Sequence, residues 1–277
     1  MNDNCIKPVI KWVGGKTQLF EKIIPLLPSE EITIYCEPFL GGGAMLFYLQ
    51  PRVAYVNDIN SRLINMYNVI KYYPEPLIQE LSEYENTAEF YYKIRESDRN
   101  FNSIYFSCIK QAARFIYLNK TCFNGLYREN KTGQFNVPYG KYKNPNFVNA
   151  SAIRSMSQYF NTANIIFTSI DFMQVLNNLP SGTFVYLDPP YDPVSKTANF
   201  TNYTRYGFTN GDHIRLRGCC DTLTERGIKF MLSNSDTNFI RSLYAGYDIT
   251  EVLAKRSINC NGNDRGSVKE LIIRNYI

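Results

Sequence analysis

Short apolar runs alternate with amphipathic stretches near both ends of the chain. The apolar runs of strand length occupy residues 32–36, 53–56, 165–168, 184–187, 228–232 and 271–273. Helical spacing of apolar residues covers 16–26 and 44–49, and again 212–226, where Thr209 followed by Asp212 has capping-box spacing. This alternation of strands and helices predicts an α/β fold with a mainly parallel sheet.

The middle of the chain has a different pattern. Apolar residues over 104–116 predict one amphipathic helix. Residues 110–143 contain seven Lys or Arg but only one acid, Glu129, and aromatic residues are interleaved with them. Such a segment favours a nucleic-acid surface over an ordinary solvated face. We therefore predict an insert at 61–148, set into a discontinuous domain formed by residues 1–60 and 149–277.

Composition favours a folded protein with an anionic partner over a disordered, membrane-spanning or disulfide-rich one. The chain has 277 residues, 44% of them hydrophobic and 20% charged, which excludes wholesale disorder. Lys and Arg number 30 against 25 Asp and Glu, and this excess favours an anionic partner. No apolar run approaches the roughly 20 residues of a membrane span. The seven scattered cysteines contain no C-x-x-C pair, so we expect a reducing cytoplasm and neither a metal site nor a disulfide framework.

Asp188-Pro189-Pro190-Tyr191 directly follows a predicted strand. The carboxyl ends of strands are where open α/β sheets bind ligands. The prolines hold a rigid turn and carry no N–H, so the carbonyls there are available as acceptors. A carboxylate, a fixed carbonyl and an aromatic ring together suit a planar molecule that carries an amino group. A plain proline-rich turn is the alternative interpretation of this tetrapeptide.

Two glycine-rich motifs lie nearer the N-terminus. Gly41-Gly42-Gly43 lets the backbone approach a ligand, but Leu46 stands where a dinucleotide fingerprint needs a third glycine. Asp58, after the next strand, is either an acceptor for ribose hydroxyls or a helix N-cap. In the motif of residues 11–17, Ile10 stands where a P-loop needs glycine, which excludes a nucleoside triphosphatase. Trp12 and Lys16 remain candidates for binding the carboxylate end of an amino-acid-like ligand.

Taken in order, these motifs resemble the Dam-type DNA adenine methyltransferases, the alpha group with a recognition insert before the DPPY tetrapeptide. The resemblance runs essentially end to end. It implies a Rossmann-like S-adenosylmethionine-dependent methyltransferase sheet with an inserted, mainly helical target-recognition domain carrying a β-hairpin. The usual target of that family is the duplex tetranucleotide GATC. The segments that carry the resemblance are residues 11–16, 37–43, 58, 123–128, 134–142, 188–191 and 198–201.

The resemblance also implies roles for individual residues. The catalytic residues would be Asp188, Pro189 and Tyr191. Those at the methyl donor, S-adenosylmethionine, would be Trp12, Lys16, Phe39, Gly41, Gly43, Asp58 and Asp188. Those that contact DNA would be Lys11, Phe123, Asn124, Leu126, Arg128, Pro138 and Tyr142. Phe123 stands where some members have Tyr, so this chain has no hydroxyl at that position for a contact to phosphate.

The resemblance implies that a flipped adenine presents its amine to the sulfonium methyl for direct in-line attack. The expected partners are double-stranded DNA and, in a restriction system, a cognate endonuclease; no membrane or metal is expected. The protein would be cytoplasmic and nucleoid-associated. Alternatives are methylation of RNA or of a protein glutamine, or a catalytically silent DNA-binding homologue. Ring-carbon methylation is disfavoured because the chain has no Pro-Cys pair, and the single histidine, His213, is expected at a helix surface.

Overall fold

The computed structural model describes residues 6–12, 14, 16–99, 107–194, 207–255 and 267–277. Three parts of the predicted motifs lie outside these ranges, namely Val13, Gly15 and residues 198–201. Within the described ranges, no helix is long and apolar enough to cross a membrane. The same residues include no group of three or more His, Cys, Asp or Glu side chains placed to hold a metal ion.

Seven strands form one sheet in the order β3-β2-β1-β4-β5-β7-β6. Strands β1 to β5 are parallel, and β7 inserts antiparallel between β5 and β6. The strands are β1 Ile34–Glu37, β2 Val53–Asn57, β3 Asn164–Thr168, β4 Thr183–Leu187, β5 Lys229–Ser235, β6 Asp248–Lys255 and β7 Ser267–Arg274. Every predicted strand overlaps an observed one, which confirms the α/β fold class.

Helices cover the sheet and fill the interval between β2 and β3. They are α1 Phe20–Ile23, α2 Ala44–Leu49, α3 Ser61–Tyr72, α4 Pro74–Ser82, α5 Ala88–Glu96, α6 Cys108–Thr121, α7 Ala150–Thr162, α8 Phe172–Asn177, α9 Asn210–Glu225 and α10 Asn238–Leu243. The capping box of Thr209 and Asp212 opens α9 as predicted. The single helix predicted over 16–26 is wrong, because 3₁₀ turns flank a short α1 and Pro25 lies in the second turn.

Two apolar clusters occupy opposite faces of the sheet. Tyr35 belongs to the larger cluster and its neighbour Cys36 to the smaller one, as the alternation of side chains along a strand requires. Residues of α3, α4, α6 and α7 pack into the larger cluster together with strand residues, whereas residues of α8 and α9 pack into the smaller. The division of the chain into a catalytic domain and a 61–148 insert stays a prediction.

Candidate functional site

The predicted donor and catalytic motifs meet at one edge of the sheet. β1, β2 and β4 are parallel neighbours, so their carboxyl ends lie side by side. The glycine loop follows β1, Asp58 follows β2, and Asp188 follows β4. This edge is where ligands bind in open α/β sheets. Motifs that are far apart in sequence are therefore brought to one place by the strand order.

The glycine loop is held closely against Trp12 and Asp58. Gly41 and Gly43 have φ values of +49° and +68°, which favour glycine. A Cβ atom at Gly41 would come within 2.7 Å of the Trp12 indole. One Asp58 oxygen accepts from the Gly41 N–H at 3.0 Å, and the other accepts from the Asn60 N–H at 2.9 Å. The loop and the predicted ribose acceptor thus form one hydrogen-bonded unit.

Asp58 does not cap the helix that follows it. The side chain of Asn60 accepts from the backbone N–H groups of Arg62 and Leu63, so Asn60 is the N-cap of α3. The N-cap alternative for Asp58 is therefore wrong. Burial raises the pKa of the Asp58 carboxyl, and its two backbone hydrogen bonds oppose that rise.

A cation lies at the DPPY tetrapeptide. The Lys16 ammonium is 2.8 Å from Oδ1 of Asp188 and also donates to the Gly14 carbonyl at 2.9 Å. The same ammonium lies 4.5 Å from the centre of the Tyr191 ring, within cation–π range. Lys16 is only 7% exposed, so this charge is largely shielded from solvent and depends on its carboxylate partner. A carboxylate oxygen and an aromatic face thus converge on a single nitrogen.

Two further side chains, both on strands of the sheet, form hydrogen bonds with Asp188 and Tyr191. The Ser233 hydroxyl, at the end of β5, donates to Oδ1 of Asp188 at 2.9 Å. The Tyr191 hydroxyl donates to Oε2 of Glu270, on β7, at 2.8 Å. We call Lys16, Asp188, Tyr191, Ser233 and Glu270 the Asp188 cluster. Burial and the two nearby carboxylates raise the pKa of Tyr191 well above its usual value, so its hydroxyl stays protonated and remains a donor.

Sequence reasoning missed Ser233, Glu270 and the buried acid Glu37. Glu37 ends β1, accepts a hydrogen bond from the Tyr35 hydroxyl at 2.9 Å, and is 3% exposed. Burial raises the pKa of this carboxyl well above its usual value, with the negative charge of Asp188 acting in the same direction. Position at the carboxyl end of a predicted strand was the one available signal for Glu37 and Ser233.

An aromatic group lies beside the glycine loop. Phe39, predicted to contact the methyl donor, has its ring centre 5.4 Å from that of Phe172 and 5.8 Å from that of Phe208.

His213 packs edge-on against Phe208, with the ring centres 4.7 Å apart, and is 1% exposed. The prediction of a surface position for His213 is therefore wrong. His213 lies on the face of α9 that also buries Leu216 and Cys220, and burial lowers its pKa.

The predicted DNA-contacting residues lie on or next to a segment that folds back on itself. Antiparallel bridges join Cys122 to Tyr139 and Glu129 to Phe135, and we call residues 122–142 the hairpin segment. Phe123, Asn124, Arg128 and Pro138 are exposed, whereas Leu126 and Tyr142 are half-buried.

Lys11 is tied to this segment although it is distant in sequence. The buried side chain of Asn119 bonds both the N–H and the carbonyl of Lys11, at 2.8 and 2.7 Å, and also bonds the carbonyl of Gly125 at 3.3 Å. The Lys11 ammonium lies 5.0 Å from the centre of the Tyr142 ring. Sequence reasoning also missed this role for Asn119, because its partners come from two separate segments.

Ion pairs hold the hairpin segment on the helices beneath it. Arg62, in α3, lies 2.6 Å from Oε1 of Glu129 and donates to the Gly133 carbonyl at 2.9 Å. Arg114, in α6, pairs with Asp98 at 2.8 Å, and Asp98 accepts from the Phe135 N–H at 3.3 Å. The alternation of side chains places Arg128 outside while its neighbour Glu129 faces these helices.

Gly140 is expected to tolerate no side chain. Its Cβ would lie 2.6 Å from the Cys122 carbonyl oxygen and 2.6 Å from the Tyr142 ring. Gly140→Ala should therefore lower the free energy of unfolding by about 1–3 kcal/mol. Gly218, exposed in α9, is the matched control, because no atom of the described residues beyond its own helix backbone and chain neighbours lies within 4 Å of its Cβ position. Gly218→Ala should raise that free energy by about 0.5–1 kcal/mol. Urea unfolding of both variants measures the difference, and equal shifts would contradict the steric argument.

Comparison with known proteins places the whole chain in one group of sequences. A family profile described as D12 class N6 adenine-specific DNA methyltransferase matches residues 12–258. Type II methyltransferase M1.LlaDCHI of Lactococcus lactis subsp. cremoris is 43% identical over 273 residues, covering 98% of this chain and 96% of that protein. Type II methyltransferase M.MjaIII of Methanocaldococcus jannaschii is 44% identical over 290 residues, covering 98% and 99%. DNA adenine methylase of Escherichia coli strain K12 is 35% identical over 267 residues, covering 95% and 93%.

Proposed function

The chain belongs to the D12 class N6 adenine-specific DNA methyltransferase family, and from this premise we propose that it methylates adenine within duplex GATC, with S-adenosylmethionine as the methyl donor. The observation that carries the proposal is the convergence of the Asp188 carboxylate and the Tyr191 ring on one nitrogen, here that of Lys16. An exocyclic amine on a planar base needs the same two partners. Its N–H groups donate hydrogen bonds to an acceptor while an aromatic face stacks on its ring.

The residues assigned to the donor fit its chemistry. Each Asp58 oxygen accepts one backbone N–H and retains a lone pair that can accept from a ribose hydroxyl. In the described part of the chain, Asp188 and the Gly14 carbonyl engage the Lys16 ammonium, which has three N–H groups and so suits a carboxylate as a further acceptor. Trp12, Phe39, Gly41 and Gly43 complete the proposed donor site. Bound there, S-adenosylmethionine supplies an electrophilic methyl group on a sulfonium.

The chain's own residues would then prepare the adenine amine. The Asp188 carboxylate and the Pro189 carbonyl accept hydrogen bonds from the two amine N–H groups, which draws the nitrogen toward tetrahedral geometry and frees its lone pair. Asp188 also faces the positive charge that develops on that nitrogen. Tyr191 stacks on the extruded base, and alignment supplies much of the rate. Flipping the base out of the duplex costs a few kcal/mol.

The hairpin segment is the proposed recognition element of a target-recognition insert at 61–148. The Arg128 guanidinium can bond the two major-groove acceptors of guanine, and Leu126 and Pro138 suit the thymine methyl group. Lys11, Phe123, Asn124 and Tyr142 would contact DNA beside them. Phosphate contacts would make binding depend on salt. Because two relatives are named Type II methyltransferases, we extend the proposal to a cognate restriction endonuclease as partner and to action in the cytoplasm.

The test is transfer of label from the methyl donor to matched duplexes. One duplex contains GATC, and the others differ from it by one base pair in that sequence. We expect label only in the GATC duplex, on adenine N6 after digestion to nucleosides. Label in RNA alone, or tight DNA binding with no label in any duplex, would overturn the proposal. Equal label in all duplexes would retain the chemistry and refute GATC as the target.

A further inference from the structure

Tyr191 is anchored to the sheet by a residue that lies far from the tetrapeptide in sequence. Its hydroxyl donates to Oε2 of Glu270 at 2.8 Å, across 79 positions of the chain. Glu270 lies on β7 opposite Ser235 of β5, and on its other side it faces Val252 of β6. Because β7 is paired along both edges, it is a rigid support for a hydrogen-bond acceptor.

The backbone at Tyr191 is held on both sides, so the support is needed for the direction of its side chain. Two prolines precede it, and Asp192 after it donates to Asn234 and accepts from the Ser235 and Thr237 hydroxyls. The Tyr191 side chain itself still has two rotatable bonds. Its ring is half-buried and carries the Lys16 ammonium over one face at 4.5 Å. A ring that rotates about χ1 or χ2 would not keep a stacking face directed at one position.

We propose that Glu270 is a positioning residue for methyl transfer, which fixes the Tyr191 ring by accepting a hydrogen bond from its hydroxyl. This inference rests on the proposed function, because it concerns the ring that would stack on the target base. Its proposed contribution to transfer runs through the hydrogen bond that it accepts from the Tyr191 hydroxyl. Loss of Glu270 should therefore misalign the flipped base and lower the rate of transfer. It should leave the DNA affinity unchanged, because we propose that this affinity comes from the hairpin segment and from phosphate contacts.

The test compares variants at both ends of this hydrogen bond. Glu270→Met removes the acceptor while keeping a side chain of similar length, and Tyr191→Phe removes the donor while keeping the ring. Glu270→Gln retains an acceptor oxygen and is the conservative variant. Glu251→Met is the matched control, since Glu251 lies on β6 and pairs with Arg241 and Lys269 near the surface. Single-turnover rate, DNA dissociation constant and thermal midpoint are measured for each variant and for the Tyr191→Phe, Glu270→Met double variant.

We expect Glu270→Met and Tyr191→Phe each to lower the single-turnover rate about tenfold, as loss of a hydrogen bond to a charged acceptor predicts. The double variant should be no slower than either single variant, because both remove the same bond. Glu270→Gln keeps an acceptor but loses its charge, so it should slow transfer by about two- to fourfold, less than Glu270→Met does. Glu251→Met should stay within about twofold of the unaltered protein, and all DNA dissociation constants should change by less than about twofold.

Three results would overturn the inference. One is a Glu270→Met rate equal to that of the control, another is losses that multiply in the double variant, and the third is a Glu270→Gln loss as large as that of Glu270→Met. A 2-aminopurine at the target position gives an independent signal, because an unfixed ring should change its fluorescence in the complex. Absence of transfer by the unaltered protein would instead refute the proposed function, so the two failures are distinguishable.

Discussion

Replacing Asp188 with Asn or Ala is expected to abolish methyl transfer while DNA binding stays nearly unchanged. In the proposed reaction, this carboxylate accepts a hydrogen bond from the amine and faces its developing positive charge. Loss of one preorganised electrostatic group of this kind slows an enzyme by at least about a hundredfold. The hairpin segment, which we propose binds DNA, makes no described hydrogen bond to Asp188, so the DNA dissociation constant should change little. Label transfer in single turnover and fluorescence anisotropy measure the two quantities.

The two replacements at Asp188 should differ in stability. Asp188→Ala leaves the Lys16 ammonium, with an 8% exposed side chain, without its counter-charge. Removing one partner of a fully buried pair costs about 3–5 kcal/mol. Because the Asp188 side chain is 21% exposed, we expect a smaller loss. Asp188→Asn keeps the shape and an acceptor for Ser233, so its stability should fall less.

Asp221→Asn is the control for these two variants. Asp221 lies in α9 and pairs with Arg217, and its side chain is 47% exposed. The same chemical change there should leave transfer unaltered. Turnover by Asp188→Asn at the rate of this control would show that the carboxylate is no acceptor for the amine. A parallel loss of DNA binding would show that Asp188 acts on the structure of the protein instead.

The central strands were predictable because each is buried on both faces. β4 is fully buried, so its sequence is a continuous apolar run bounded by polar residues. β6 was not predicted. It is an edge strand, and the charged residues Asp248, Glu251 and Lys255 interrupt its apolar pattern. Residues 16–26 have helical spacing, but that spacing carries no information on the 3₁₀ geometry that Pro25 favours there.

The site was predictable where the motif itself carries the chemistry. The position of Asp188 after a buried strand follows from the order of apolar residues and prolines alone. The partners of Asp188 and Tyr191 did not follow from it, because Ser233 lies 45 positions and Glu270 79 positions away. Neither residue has a local signal beyond its strand, and only the pairing of β4 with β5 and of β5 with β7 brings them to the tetrapeptide.

Arg128→Ala is expected to relax discrimination at one base pair by about 1–3 kcal/mol. The Arg128 side chain is exposed, and its Nε donates to Oδ1 of Asn136 at 2.7 Å, which restricts the direction of the guanidinium. The terminal nitrogens then have the fork geometry that matches N7 and O6 of guanine. Loss of this fork should weaken binding to GATC by about ten- to a hundredfold and binding to a duplex altered at that guanine much less.

Lys131→Ala is the control variant that separates the loss of a base contact from the loss of a phosphate contact. It is exposed in the same hairpin segment and carries the same charge. An ammonium there should contact phosphate, so Lys131→Ala should weaken binding to every duplex by a similar factor and lower the salt dependence. Competition binding with single-base-pair variants of GATC, at fixed salt, measures both effects. If Arg128→Ala lowers the affinity for GATC and for the altered duplexes by the same factor, then Arg128 also contacts only phosphate. Discrimination between duplexes requires a contact that the wrong base cannot make.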